Sequence, residues 1–146
     1  MLRPGGFTLI ELIVVLAIAG LLVALVPPLF SKVLGGVELR ATARELAAAL
    51  RYARSRAVFQ QRDALLTLDT EQRRYRVSGR KGVGRIDRDI ELKMLAARSQ
   101  QTGRARASIR FFPDGSTTGG QISLSDGGSR YVIDVNWLTG RVALYR

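Results

Sequence analysis

The 146-residue sequence contains no cysteine and no histidine. The absence of cysteine excludes disulfide bonds and thiolate metal sites. The absence of both residue types removes the side chains that most often serve as reactive thiol, general base and transition-metal ligand. Only chemistry based on serine, lysine or a carboxylate is left open. We therefore expect a protein that is not an enzyme and that uses no cofactor and no metal.

Acidic residues are scarce as well, with 12 acidic against 23 basic side chains and a formal net charge of +11. The excess lies in the middle of the chain: residues 51–110 hold sixteen basic and six acidic residues, whereas residues 111–146 hold three of each. Twenty of the basic residues are arginine, which suits bidentate contact with carboxylate or phosphate. A solvated basic surface would explain this charge without any partner.

Charge of either sign is missing from residues 12–30, a run of nineteen residues. At a helical rise of about 1.5 Å per residue, this run comes close to spanning a bilayer core of roughly 30 Å. The sequence thus predicts a transmembrane helix over residues 7–30. Its one charge is Glu11. An ionised carboxylate costs on the order of 2.5–3.5 kcal/mol at mid-membrane, so Glu11 needs a partner or a function.

Three interpretations compete for this N-terminal segment. A cleaved secretory signal would use the small residues Ala17-Ile18-Ala19, but the apolar run continues beyond them and Glu11 interrupts the segment before them. A plain membrane anchor fits the length and leaves Glu11 unexplained. A type IV prepilin leader accounts for both the length and the acidic residue.

The residues that carry this third interpretation are 5–12, GGFTLIEL. They resemble the class III leader of type IV pilins and pseudopilins. The resemblance implies that prepilin peptidase removes residues 1–6 by cleaving between Gly6 and Phe7 and then methylates the new N-terminus at Phe7. It also implies an assembly role for Glu11. Its carboxylate would neutralise the N-terminal ammonium of a neighbouring subunit, which turns two costly intramembrane charges into one pair.

The rest of the chain changes from a helical to an alternating pattern. Apolar residues recur at helical spacing at Leu39, Ala43, Leu46, Leu50, Ala53 and Ala57, which predicts an amphipathic helix over residues 31–62. Residues 63–146 show alternating apolar residues separated by turn signals. We predict an α+β fold in which a long N-terminal helix, transmembrane in its first half, packs on an antiparallel β-sheet domain. One strand should place Tyr131, Ile133, Val135 and Trp137 on a single face that closes the core, with Trp137 in the core or at its rim.

The C-terminal third carries a second resemblance. Residues 109–115, 119–124 and 135–142 resemble the domain shared by H-type minor pseudopilins of type II secretion and FimT-like minor type IV pilins. With the leader, this implies a single-pass inner-membrane subunit with a periplasmic C-terminal domain. Such a subunit would join major and minor pseudopilins at or near the tip of the pseudopilus. An inner-membrane assembly platform would drive it, and the pseudopilus would push folded proteins through the outer-membrane secretin.

The alternative is a FimT-like minor type IV pilin that binds DNA for natural transformation. Arg141 and Arg146 would then contact phosphate, giving salt-dependent binding without sequence preference. Two features weaken this alternative: Val142–Tyr145 separate the two arginines, and residues 111–146 are net neutral. The sequence therefore favours secretion over DNA uptake.

Overall fold

The computed structural model describes residues 8–96, 101–102 and 105–146. Side chains are described for residues 8–23, 36–96 and 105–146. The chain divides into two compact units, Met1–Leu34 and Gly35–Arg146, and we describe each by itself. Helix α1, Leu9–Gln60, contributes residues to both units.

In the first unit, α1 begins at Leu9, after Thr8. The Thr8 hydroxyl accepts a hydrogen bond from the Glu11 amide at 3.3 Å, and the Thr8 carbonyl accepts one from the Leu12 amide at 3.2 Å. Threonine thus caps the helix at the position where unpaired amides need an acceptor. The large apolar side chains from Leu9 to Val23 are each at least half exposed. Among the residues that the structure describes, none of the helical segments is both long enough and apolar enough to cross a membrane.

In the second unit, α1 buries one face. The six apolar residues that define the helical spacing are all fully buried: Leu39, Ala43, Leu46, Leu50, Ala53 and Ala57. Arg40, Arg44, Arg51 and Arg54 are exposed on the other side. The helix ends at Gln60, two residues before the predicted end, because Gln61 adopts a left-handed backbone with φ of 51°.

Within the residues that the structure describes, nine strands follow the helix and form two antiparallel sheets. Sheet A has the order β3-β2-β1-β6-β5, and sheet B has the order β4-β7-β8-β9. The strands are β1 Ala64–Asp69, β2 Arg74–Val77, β3 Gly84–Arg85, β4 Glu91–Ala96, β5 Gln101–Thr102, β6 Arg106–Phe111, β7 Gly120–Ser125, β8 Arg130–Val135 and β9 Val142–Tyr145.

Strand registers place the alternating apolar residues on one side of each sheet. In sheet A, Leu66 pairs with Val77 on β2 and with Ile109 on β6, and all three are buried. In sheet B, Ile133 pairs with Ile122 and with Leu144, so the same alternation holds across β7, β8 and β9. These inner faces and the buried face of α1 form one hydrophobic cluster. The predicted α+β fold, with a helix packed on antiparallel sheet, is confirmed.

The prediction for Trp137 was wrong. Strand β8 ends at Val135, and Trp137 lies in the following turn with 66% of its surface exposed. The alternation of Tyr131, Ile133 and Val135 holds, with all three buried. It stops at Asn136, whose side chain accepts hydrogen bonds from the amides of Leu138 and Thr139. An Asn that caps its own turn competes with continuation of the strand.

Candidate functional site

The predicted cleavage and methylation positions, Gly6 and Phe7, lie outside the described residues. The next predicted residue, Glu11, lies in the first turn of α1 and is exposed between the exposed side chains of Ile10 and Leu12. Its backbone amide is occupied by Thr8, and within the described residues its carboxylate forms no ion pair. A carboxylate in the first helical turn also interacts favourably with the helix dipole. Glu11 is therefore available to a cation from outside the described part of the chain.

A second site lies where the end of α1 meets the turn between β8 and β9. Arg51, Arg54 and Ser55 from α1 and residues 139–142 from the turn line an open groove of about 540 Å³. The Arg51 guanidinium donates to the Val142 carbonyl at 3.3 Å, and Arg54 Nε donates to the Gly115 carbonyl at 3.3 Å. These contacts hold both side chains beside Arg141. We call this groove, lined by Arg51, Arg54 and Arg141, the arginine groove.

The turn that presents Arg141 is fixed by its own hydrogen bonds. The backbone carbonyl of Asn136 accepts a hydrogen bond from the Gly140 amide at 2.8 Å, and the backbone amide of Asn136 donates one to the Arg141 carbonyl at 3.0 Å. Gly140 has a φ of 62°, a conformation that favours glycine. A side chain there would also collide with the Gly115 carbonyl and approach Arg54 Nε to 2.8 Å. Glycine at this position thus lets the turn approach α1 closely.

Of the two C-terminal arginines singled out from the sequence, the structure places one in the arginine groove. Arg141 lines the groove, whereas Arg146 is exposed at the end of the chain and does not line it. Arg51 and Arg54 were missed as partners of Arg141. Their spacing of three residues, off the buried helix face, indicated that they share one side of α1. Nothing in the sequence indicated which turn would face them.

The charge of the groove is uncompensated within the described chain. Its lining includes three guanidinium groups and the hydroxyls of Ser55 and Thr139, but no carboxylate. The three ion pairs found among the described residues all lie elsewhere, and they join Lys93 to Glu91, Arg106 to Asp69 and Arg110 to Asp63. The arrangement can accept an anion but holds no general base or nucleophile pair. Within the described residues, no group of three or more carboxylates is placed to hold a metal ion.

Comparison with known protein families gives two matches. The family described as type II transport protein GspH matches residues 42–140, and the prokaryotic N-terminal methylation motif matches residues 1–27. A curated relative, the type II secretion system protein H of Xanthomonas campestris pv. campestris, is 32% identical over 137 residues. The alignment covers 94% of this chain and 80% of that relative.

Solved structures with the same fold include a type IV minor pilin and a minor pseudopilin. The type IV minor pilin FimU of Pseudomonas aeruginosa superposes with a TM-score of 0.58 at 20% identity, over 77% of this chain and 91% of that chain. The minor pseudopilin EpsH from the type 2 secretion system of Vibrio cholerae superposes with a TM-score of 0.54 at 14% identity, over 74% of this chain and 96% of that chain. At these identities the likeness establishes the shared pilin-like fold.

Proposed function

The chain belongs to the type II transport protein GspH family, and from this premise we propose that it works as a minor pseudopilin at or near the tip of a periplasmic pseudopilus. The observation that carries the proposal is that the chain matches both the N-terminal methylation motif and the GspH family model. The methylation motif covers the N-terminus, and the family model covers the helix end and the β domain. The proposed role is mechanical and requires no catalytic site in this chain.

Processing and anchoring are the first part of the proposal. Prepilin peptidase cleaves between Gly6 and Phe7 and methylates Phe7, which becomes the first residue of the mature protein. The methylation motif over residues 1–27 supports this step. Before assembly, residues 7–30 hold the subunit in the inner membrane with its C-terminal domain in the periplasm. The uncharged run of residues 12–30 supports this placement.

Assembly through Glu11 is the second part. The Glu11 carboxylate pairs with the N-terminal ammonium of a neighbouring pseudopilin as the subunit leaves the bilayer. Its exposed position, with no ion pair among the described residues, supports this role. The exposed apolar side chains from Leu9 to Val23 would pack on the corresponding helices of other major and minor pseudopilins.

Work by the filament is the third part. The inner-membrane assembly platform adds subunits from below, and the growing pseudopilus pushes folded proteins through the outer-membrane secretin. The name of the Xanthomonas relative, type II secretion system protein H, supports this assignment.

Two measurements in the native host test the proposal. Mass spectrometry of the mature N-terminus should find a methylated Phe7, because the motif places the cleavage after Gly6. A strain that lacks the gene should retain folded exoproteins in the periplasm, and a plasmid copy should restore their release. An intact Met1, or a mature N-terminus at Gly20, would overturn the processing step. Normal release in the deletion strain would overturn the secretion role.

DNA uptake by a FimT-like pilin is the second candidate function, and the arginine groove is the observation that favours it. Arg51, Arg54 and Arg141 offer three guanidiniums to phosphate without a competing carboxylate in the lining. Arg146 would have to contact phosphate from outside this groove.

Binding of duplex DNA by the full chain in neutral detergent, measured from 50 to 300 mM salt, tests this second candidate. Binding that weakens steeply with salt and is lost in the triple variant R51Q/R54Q/R141Q would support DNA uptake, since each phosphate contact makes the slope of log K against log salt more negative by about 0.9. The matched control is R40Q/R44Q/R130Q, which removes three exposed arginines outside the groove. Equal losses in both triple variants would mean nonspecific attraction to the net charge.

A further inference from the structure

The largest concentration of positive charge lies outside the sites described above, in residues 71–88. This segment contains β2, β3 and the loops beside them, and we call it the basic hairpin. It holds seven basic and two acidic side chains, a net of +5 within a chain of net +11. Neither the proposed processing step nor the arginine groove uses any of these residues.

Strand register places the arginines of the basic hairpin on the outer face of sheet A. Tyr75 and Val77 are buried in the core, so their neighbours Arg74 and Arg76 point away from it and are exposed. Arg74 pairs with Arg85 across the β2–β3 ladder, and Arg85 is exposed as well. Three guanidinium groups therefore share one patch at the β3 edge of the sheet.

The same face carries hydroxyl groups and one carboxylate next to these arginines. Arg76 pairs with Thr67, which in turn pairs with Ser108, and the two hydroxyls lie 2.9 Å apart. In the strand register Arg74 lies opposite Asp69, and the Asp69 carboxylate already accepts a hydrogen bond from Arg106 at 2.7 Å. Among the described residues, Arg74, Arg76 and Arg85 form no ion pair. The ion pairs within the described residues therefore do not compensate the positive charge of these three arginines.

The outer face of sheet B provides the contrast. Its exposed and half-exposed positions carry Glu91, Lys93, Arg130 and Asp134, two of each sign. Glu91 and Lys93 pair with each other at 2.6 Å. The excess charge is thus confined to one of the two sheet faces, and a general need for solubility would not predict that asymmetry.

The basic hairpin is also held in a fixed position. The buried Tyr75 hydroxyl donates to Glu45 on α1 at 2.6 Å, and the Tyr75 ring lies against Gly84 so closely that a side chain at Gly84 would overlap it. Arg73 Nε donates to the Asp87 carbonyl at 3.0 Å, and its guanidinium also donates to the Ile90 carbonyl. A surface that is already ordered loses less entropy when a partner binds.

We propose that the outer face of the basic hairpin, with Arg74, Arg76 and Arg85 at its centre, docks an acidic surface of a neighbouring pseudopilin. This inference rests on the proposed function, because it takes the partner from the same filament. The exposed guanidiniums of Arg74, Arg76 and Arg85 can donate to the separate carboxylates of an acidic protein surface. On the outward positions of β1, β2, β3 and β6 that the structure describes, no aromatic ring is available to stack on a base.

The test uses the full chain in neutral detergent with each of the other purified pseudopilins of its own secretion system. Binding is measured at 50 and at 300 mM salt for the wild type, for R74Q/R76Q/R85Q and for the control variant K93Q/R130Q on sheet B. We expect the wild type to bind at least one pseudopilin in a salt-sensitive manner. The hairpin variant should bind it roughly tenfold more weakly, and the control should change less than about twofold. Near-ultraviolet circular dichroism confirms that the variants are folded.

The possible outcomes separate this inference from the proposed function. If the wild type binds a pseudopilin and the hairpin variant binds equally well, the docking surface is wrong while the filament role stands. If the wild type binds none of them, the docking surface is overturned, and the filament role is decided by exoprotein release in the deletion strain. If the hairpin variant instead loses duplex DNA binding and keeps pseudopilin binding, the face recognises nucleic acid and the inference is overturned.

Discussion

The phenolic hydroxyl of Tyr75 donates a 2.6 Å hydrogen bond to the carboxylate of Glu45, thirty residues earlier in the chain. It joins β2 of sheet A to the second half of α1. Tyr75 is buried, whereas Glu45 is on the exposed side of the helix. The contact therefore fastens β2 to the helix at the border of the core, and it sets the position of the basic hairpin.

Replacement of Tyr75 by Phe should lower the free energy of unfolding by about 1–2 kcal/mol, because a hydrogen bond to a charged acceptor is lost while ring packing is kept. Thermal unfolding of the full chain in neutral detergent measures this effect. The control is Tyr145→Phe on β9, since Tyr145 is exposed and its change should be within about 0.5 kcal/mol. Equal shifts for the two variants would contradict a specific role for the contact.

Tyr75 should also make stability depend on alkaline pH. Burial, followed by the hydrogen bond and charge of Glu45, raises the pKa of Tyr75 well above its usual range. In the unfolded chain this hydroxyl ionises near a pH of about 10. A group with a raised folded pKa contributes stability below its unfolded pKa, and the contribution is lost as pH rises toward the folded value. The stability difference between wild type and Tyr75→Phe should therefore shrink between pH 9 and 11. A constant difference over that range would contradict this linkage.

Gly140 is expected to be more sensitive to substitution than Gly127, the glycine of the β7–β8 turn. Gly140→Ala places a side chain at positive φ and drives it into the Gly115 carbonyl. Gly127→Ala also places a side chain at positive φ, but no atom lies within 4 Å of the added Cβ. The positive φ should cost about 1–2 kcal/mol in each variant. Gly140→Ala should lose clearly more, which corresponds to an additional drop in Tm of several degrees at about 2–4 °C per kcal/mol. Equal losses would show that the turn relaxes away from α1.

Comparison of the sequence with the structure shows which kinds of feature can be predicted. The buried face of α1 and the pairing of Leu66 with Val77 follow from periodicity, because burial of one face imposes spacing on the sequence. The arginine groove could not be predicted, since Arg141 meets Arg51 and Arg54 only through the packing of a turn against the helix. The prediction for Trp137 failed for a local reason. The side chain of Asn136 forms hydrogen bonds within the turn, and these end a strand that the alternating pattern would have continued.

Glu11 should be required for assembly and dispensable for folding. Glu11→Ala removes an exposed carboxylate, so the β domain should keep its Tm, while incorporation into the pseudopilus should fall sharply because the ammonium of the neighbouring subunit is left unpaired. Cross-linking in intact cells, followed by immunoblotting for products that join the subunit to the other pseudopilins, measures incorporation. Glu38→Ala is the matched control, since Glu38 is also an exposed acid on α1 and lies in the second unit. Normal incorporation of Glu11→Ala would refute the charge-pairing role.

The carboxylate of Asp126, in the β7–β8 turn, should make the stability of the domain fall at acidic pH. This carboxylate accepts hydrogen bonds from the amides of Ser129 at 2.7 Å and Gly128 at 3.0 Å, and these bonds, that of Ser129 foremost, lower its pKa. A group with a lowered folded pKa contributes stability above its unfolded pKa of about 3.9, and this contribution is lost as pH falls through the folded value. Asp126→Asn keeps an acceptor oxygen but cannot titrate. Wild type should therefore be more stable than Asp126→Asn at pH 6, and the difference in Tm should diminish as the pH is lowered from 5 to 2.5. A difference that grows on acidification would show that the turn does not bind the ionised carboxylate in preference to the neutral one.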